Sequence, residues 1–174
     1  MSKRVNSRRV GATFERRIAN DLREWLGEDW TITRNEPGYQ CGLDGRAGEF
    51  HFVGPHAMPL VWECKSEKRF KLSQLFRSPL TGPIETYWQQ ASEQAASVAI
   101  DSPRHPILVC KQSQQPPIAV MRRATSIALC LAGPSPGHIM EIEVNEDDIG
   151  RESLRVWRWQ DLLSLDSMAL MELL

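Results

Sequence analysis

The stretch that most constrains this chain is Leu60-Val-Trp-Glu-Cys-Lys65, an apolar strand-like run with two opposite charges inside it. In a β-strand, residues two apart share a face, so Glu63 and Lys65 project together while Cys64 points the other way. Charged groups in the middle of an apolar strand are costly unless they are paired or bound to a metal. A second strand candidate, Glu49-Phe-His-Phe-Val53, lies upstream across a Pro/Gly-rich loop. If the two fold as a hairpin with Phe52 opposite Leu60, Glu49 faces Glu63. Directly opposed residues have Cβ atoms roughly 4.5–5.5 Å apart, a distance at which two carboxylates repel. A divalent cation between them removes the penalty, and carboxylate oxygens are the donors that Mg²⁺ prefers. Lys65, on the same face, is placed to steady an attacking water or the charge on a scissile phosphate.

The rest of the chain frames these strands. Phe14, Ile18, Leu22 and Trp25/Leu26 recur at helical spacing, which predicts a helix over residues 13–26 ended by Gly27. Glu15 opens the buried stripe of that helix instead of pointing to water. A short strand is expected over residues 30–34, then a turn-rich segment over 35–48 with four glycines and one proline. A basic stretch from Lys68 runs to Arg77. A second amphipathic helix over residues 84–99 carries Tyr87, Trp88, Ala91, Ala95 and Val98 on one face. Strands are expected over 106–111 and 117–121 with a hairpin loop between, and a further one over 139–144. Residues 126–132 are apolar but too short to type, and residues 159–174 read as helical. The order is helix, three strands, helix, two strands and a tail, which describes an α/β sandwich with a mixed sheet.

At 174 residues and 41% hydrophobic composition the chain suits one domain with its own core, and excludes disorder and low-complexity classes. No apolar run approaches the ~18 residues of a membrane helix, and the first residues lack the apolar stretch of a signal peptide. Cys41, Cys64, Cys110 and Cys130 form no C-x-x-C pair, and three of them lie in apolar, strand-like runs. A reduced, cytoplasmic protein is the expectation. The net charge of −1 hides an asymmetry, with seven bases against two acids in residues 1–23 and three against nine in 141–174. Such a chain suits a polyanion met on one face. Lys3, Arg4, Arg8 and Arg9 are expected to precede the first helix as an arm. With Lys68, Arg69, Lys71 and Arg77 they would hold a nucleic-acid backbone. His51 and His56 do not fit zinc spacing with Cys41 or Cys64.

An acid, a gap of about a dozen residues and then Glu-x-Lys resembles the signature of the PD-(D/E)XK nucleases. The resemblance covers roughly residues 11–122 and is strongest to their Holliday-junction-resolvase and phage-endonuclease branch. It rests on Gly11-Ala-Thr-Phe-Glu15-Arg, on Arg34 to Gly48, on Glu49 and Trp62-Glu-Cys-Lys65, on Trp88-Gln-Gln-Ala91 and on Ile107-Leu-Val-Cys-Lys111. It implies a restriction-endonuclease-like core, a mixed β-sheet flanked by helices. By resemblance Glu15, Glu49 and Glu63 are metal-site acids, Lys65 is the catalytic lysine and Gln90 orients or binds near the site. Lys111 reads as structural. The family prefers Asp after Pro or Gly at its first acid, whereas this chain has Gly48-Glu49. Hairpin geometry favours Glu49, and Asp44 supports it, or is itself the ligand if the loop folds back.

The resemblance implies a Mg²⁺- or Mn²⁺-dependent endonuclease acting on DNA, branched or duplex, in phage or mobile-element recombination, and a homodimer. Residues 1–122 would form the nuclease core with its basic arm, and 123–174 a C-terminal extension of the same domain serving as a dimer or partner surface. Two other readings stay open: an inactive nuclease-fold binding subunit, and a sequence-specific restriction enzyme that reads its target with residues 123–174.

Overall fold

The computed structural model describes residues 7–35, 48–66, 70–76, 82–99, 102–134, 136–137, 139–146 and 150–174. Helix α1 (Ser7–Leu26) leads into β1 (Thr31–Arg34), β2 (Phe50–Val53) and β3 (Leu60–Lys65). A 3₁₀ turn (Leu72–Phe76) precedes α2 (Pro83–Ser97), β4 (His105–Cys110), β5 (Ile118–Arg122) and α3 (Arg123–Leu131). The chain continues through β6 (Met140–Glu146), β7 (Gly150–Arg158), α4 (Trp159–Leu163) and α5 (Ser167–Leu173). The main sheet has the order β3-β4-β5-β7-β6, parallel between β3 and β4 and antiparallel elsewhere. This is the mixed sheet, flanked by helices, of a restriction-endonuclease-like core.

Side-chain alternation explains the layers. In β4, Ile107 and Val109 join α1 in one core, while Leu108 and Cys110 join Tyr87, Trp88 and Ala91 of α2 in another. A strand covered on both faces reads as a continuous apolar run, as residues 106–110 do. In β3, Leu60, Trp62 and Cys64 pack on the α1 side, and Val61 packs on Ala95 of α2 and on Val98 just past its end. The alternation delivers Glu63 and Lys65 to the α2 side. Among the described residues no helix is long and apolar enough to cross a membrane.

The structure corrects four expectations. Helix α1 starts at Ser7, so Arg8 and Arg9 lie in its first turns and not in an arm before it. A turn that faces solvent needs no apolar repeat, and arginine is a good helix former. Lys3 and Arg4 lie outside the described residues. Second, β2 and β3 are not a hairpin. β2 pairs antiparallel with β1, from Thr31 opposite Val53 to Arg34 opposite Phe50. The chain leaves β2 at Gly54, where a Cβ would stand 2.4 Å from the Trp30 indole. Pro55 and Pro59 in the following loop have no N–H to continue a ladder. The β1–β2 ribbon instead meets β3 where the Glu49 N–H donates to the Trp62 carbonyl (2.7 Å).

Third, residues 123–131 form a helix, so Cys130 is helical and not in a strand. Fourth, residues 150–158 form β7, which pairs with β5 near the centre of the sheet. The charges of β7 hid it: Glu152 pairs with Arg122 (2.6 Å) and Arg155 with Glu141 (3.0 Å). The C-terminal elements are tied into the core. Trp159 of α4 donates to Asp21 (2.8 Å), and Trp25 of α1 donates to the Leu165 carbonyl (2.9 Å). Trp62 of β3 meets Trp25 and Trp159 edge-on, with centroids 6.3 Å and 5.8 Å away. Such pairs add about 0.5–1.5 kcal/mol each beyond their buried area.

Candidate active site

The site forms where α1, the β1–β2 ribbon, β3 and α2 converge. Glu63 is 1% exposed, and its Oε1 pairs with the Lys65 ammonium two residues along the same strand face. Lys65 also lies over the Tyr87 ring of α2, 5.7 Å from its centroid. Tyr87 and Gln94 are seven residues apart and so share a helix face, with the small Ala91 between them letting α2 approach the sheet. Gln94 hydrogen-bonds the Glu63 carboxylate. Burial pushes the Glu63 carboxyl up from its usual range, and Lys65 and Gln94 oppose that shift.

Glu49 is held through its backbone. Its N–H donates to the Trp62 carbonyl (2.7 Å), and its own carbonyl accepts from the Asn35 N–H (2.9 Å). The Asn35 side-chain amide donates to the Gly48 carbonyl (2.8 Å), which fixes the turn from the other side. Gly48 has φ +69°, and a Cβ there would stand 2.3 Å from the Trp62 carbonyl oxygen, so the close approach requires glycine. The Glu49 carboxyl is pushed up to about 7, first by burial and then by Glu63 and Glu15, with Lys65 and Arg34 pulling the other way.

Glu15 comes from the third turn of α1 and pairs with Arg34 at the end of β1 (2.6 Å). Its side chain is 14% exposed. Gly11 lies one turn earlier, where a Cβ would be 3.5 Å from the Glu15 carboxylate. Three carboxylates thus act on one another across this site, with two cations among them. Among the described residues no three His, Cys, Asp or Glu side chains stand close enough together to hold a metal ion. Asp44, the alternative first acid, lies outside the described residues.

The structure brings Glu15, Glu49, Glu63 and Lys65 into one electrostatic group. The glutamine that reaches Glu63 is Gln94, whereas Gln90 lies one turn earlier on α2 and is half-buried. Both precede an alanine, and Gln94-Ala95 was the pair to choose because Ala95 packs on Val61, two residues from Glu63 on the same strand face. Arg34, Tyr87, Asn35 and Gly48 complete the surroundings. Arg34 and Gly48 carried a sequence signal at the two ends of the glycine-rich segment, and Tyr87 stood on the apolar stripe of the second helix. Of the expected backbone-binding residues, Arg9 and Lys71 are exposed, while Lys68, Arg69 and Arg77 and the side chain of Arg8 are outside the described residues. Cys64 is buried on the opposite strand face, with its thiol pushed up by burial, so it takes no part in the chemistry.

Searches among curated proteins and among solved structures each returned no match. A family model described as "Phage putative PDDEXK endonuclease" matches residues 6–171, past the end of the stretch whose motifs carried the resemblance. With a restriction-endonuclease-like sheet, and with its acids and Glu-x-Lys strand gathered at one edge, the chain belongs to that PD-(D/E)XK family.

Proposed function

We propose that this protein is a divalent-metal-dependent endodeoxyribonuclease that hydrolyses DNA phosphodiester bonds and selects branched structures, as junction resolvases do. The observation that carries the reading is the charge of the site. Glu15, Glu49 and Glu63 outnumber Arg34 and Lys65, and the carboxyl of Glu49 is raised by its acidic neighbours as well as by burial. A site built from the protein alone would repel a phosphate. An all-oxygen donor set with excess negative charge fits Mg²⁺ or Mn²⁺. Glu49 and Glu63 would hold the ion, with Glu15 beside them, and Asp44 is the alternative to Glu49.

When bound, a divalent cation supplies Lewis-acid polarisation of a phosphoryl oxygen. The remaining roles fall to the chain itself. Hydrolysis exchanges one P–O ester bond for a P–O bond from water. Lys65 offers ammonium protons to the charge that builds on phosphorus-bound oxygen, and Glu63 keeps that ammonium on the strand face where the acids stand. Gln94 holds the Glu63 carboxylate in place. Arg34 plays the same part for Glu15. Burial of Glu63 lowers the local dielectric, which strengthens each of these contacts.

Branch selectivity, rather than reading of bases, is supported by the use of residues 123–174. The family model runs through them, and β7, α4 and α5 are spent on the sheet and core. The reading includes a homodimer with two sites. Ile127 and Leu131 of α3 and Met168 of the adjoining α5 are exposed apolar residues on the face offered for that contact. The test is cleavage of four-way-junction, flap, single-stranded and duplex DNA with Mg²⁺, Mn²⁺ or EDTA. Metal-dependent incision of the junction, lost in Glu63→Gln, is expected. DNA binding without incision under any metal would support the inactive-subunit reading instead. Loss of metal binding in Asp44→Ala but not in Glu49→Ala would move the first acid to Asp44.

A further inference from the structure

The β3–β4 edge carries a second feature, on the opposite strand face from Glu63 and Lys65. Arg9, Thr13, Phe14 and Arg17 of α1, with Ser66 after β3 and Lys111 after β4, line an open groove of about 290 Å³. We infer that this groove is a DNA-backbone cradle: Arg9, Arg17 and Lys111 bind phosphates spaced along the strand next to the cleaved one. The inference rests on the nuclease reading and says where, and through which residues, that enzyme grips its substrate.

Three observations support it. The first is position. β3 and β4 are parallel, so their carboxyl ends coincide, and the Lys111 N–H donates to the Lys65 carbonyl (3.0 Å). Open α/β sheets bind ligands at the carboxyl ends of such strands. Ser66 follows Lys65 directly, and Phe14 precedes Glu15, so on both walls the groove begins one residue from a side chain of the candidate site. The second is charge. Among the described residues the groove is lined by three cations and no acid. Arg17 pairs with Asp21 at 3.9 Å, with 49% of its side chain exposed, an ion pair that a phosphate replaces at little cost. Asp21 itself stays with the Trp159 indole.

The third is span. Arg9 and Arg17 are eight residues apart on one helix, which at 1.5 Å per residue sets them about 12 Å apart along its axis. That is too far for one small anion, and it suits a chain of phosphates, which carries a charge about every 3.4 Å along the axis of each strand. The Ser66 hydroxyl adds a neutral donor between the cations. Thr13 spends its hydroxyl proton on the Arg9 carbonyl (2.8 Å) and so shapes the wall instead of binding. The acids repel phosphate and the groove attracts it. Their adjacency would anchor the strand beside the site while leaving the scissile phosphate to Lys65 and the metal.

The experiment measures binding of duplex and four-way-junction DNA to the full chain in EDTA across a range of salt. The variants are Arg17→Ala, Lys111→Ala, the pair together, and the charge-keeping Arg17→Lys and Lys111→Arg. Arg123→Ala is the control, because Arg123 follows β5 at the far end of the sheet. Each lost phosphate contact should weaken binding about 8-fold at 0.1 M salt and flatten the log–log salt slope by about 0.9. The pair should lose about 60-fold on both DNAs alike, since phosphate contacts carry no sequence information. The charge-keeping variants and the control should keep the slope of the parent. At saturating DNA with Mg²⁺, the rate of the pair should stay within a few-fold of the parent. An unchanged slope in the pair, in a protein that cleaves DNA, overturns the groove and leaves the nuclease reading standing. A parent protein that binds no DNA in EDTA overturns the cradle, and one that also cleaves none with Mg²⁺ or Mn²⁺ overturns both. A pair that binds normally but does not cleave makes these residues part of the chemistry and overturns the cradle.

Discussion

Replacing Glu49 by glutamine should make the metal-free protein more stable at neutral and alkaline pH, although it removes an expected metal ligand. The carboxyl is raised from its usual 4.5 to about 7 by burial and by Glu63 and Glu15. The folded state therefore holds this proton more tightly than the unfolded chain, and folding takes up a proton between those two values. A group of this kind costs nothing at low pH. Its cost grows as pH rises through 4.5 and levels off above about 7. Each pKa unit is worth about 1.4 kcal/mol, so the cost is at most about 3.5 kcal/mol at pH 8 and under about 1 kcal/mol at pH 5. Glutamine keeps the shape of the protonated acid and does not ionise. In EDTA, Glu49→Gln should match the parent at pH 5 and exceed it at pH 8 by about 2–3 kcal/mol, or roughly 4–12 °C in Tm. Urea unfolding at both pH values measures this, and the difference between the two curves isolates Glu49 with its coupling to Glu63. Adding Mg²⁺ at pH 8 should reverse the order, since only the parent gains the ion. Identical pH dependence of parent and variant between pH 5 and 8 would refute the argument that these acids repel one another in a dry site.

Other substitutions test the remaining parts of the site. Lys65→Ala should lower the cleavage rate at saturating DNA by about 10²–10³ with little change in DNA affinity, because the contact is made to charge that develops in the transition state. The same change should cost stability of about 1–3 kcal/mol by leaving Glu63 buried beside an empty position, as thermal unfolding would show. Gln94→Ala should lose about 1.5–3 kcal/mol, the worth of a hydrogen bond to a charged group, while Gln90→Ala should lose far less; paired urea titrations decide between the two glutamines. Gly48→Ala should lose at least about 2 kcal/mol and reduce cleavage as well, because a left-handed backbone and a clash with the Trp62 carbonyl both displace Glu49.

Legibility in the sequence followed how many faces of an element are buried. β3 was readable to the residue over Leu60–Lys65, since an apolar run interrupted by Glu63 and Lys65 admits few other structures. α2 was readable from its stripe, to within two residues at its C-terminal end. The first turns of α1, with Arg8 and Arg9, were not, because solvent-facing turns leave no apolar period. β7 was missed because Leu154, Val156 and Trp157 are set among charges whose partners, Arg122 and Glu141, lie on other strands. The site shows the same division. Glu63 and Lys65 share a strand face, which the period of two fixes, and Glu15 stood out as an acid on a buried stripe. The approach of Glu49 to Glu63 was argued from a hairpin that does not exist. It arises instead from one hydrogen bond and a glycine turn, and these depend on a contact between the ribbon and β3 that no local pattern encodes. The choice between Gln90 and Gln94 depends on which alanine of α2 touches Val61, again a tertiary fact.

The two faces of β3 explain why this strand can carry both stability and chemistry. On the α1 side Trp62 is fully buried between Trp25 and Trp159, and this packing locks the strand's height and register against α1 and α4. On the α2 side Glu63 is as deeply buried, yet it spends its burial on an ion pair and a side-chain amide. Buried ion pairs contribute little net stability, because the loss of water offsets the attraction. What such a pair contributes here is position: a carboxylate and an ammonium held on a backbone whose other face is clamped by tryptophans. That clamp is what keeps Lys65 from drifting toward solvent. The same strand ends at Lys65, and the next side chain, Ser66, lines the basic groove beside α1. One strand thereby sets the distance between the acids and the cations of α1. A residue inserted or deleted between 63 and 66 would exchange the two faces, and so should abolish both the site and the groove while changing the composition of neither.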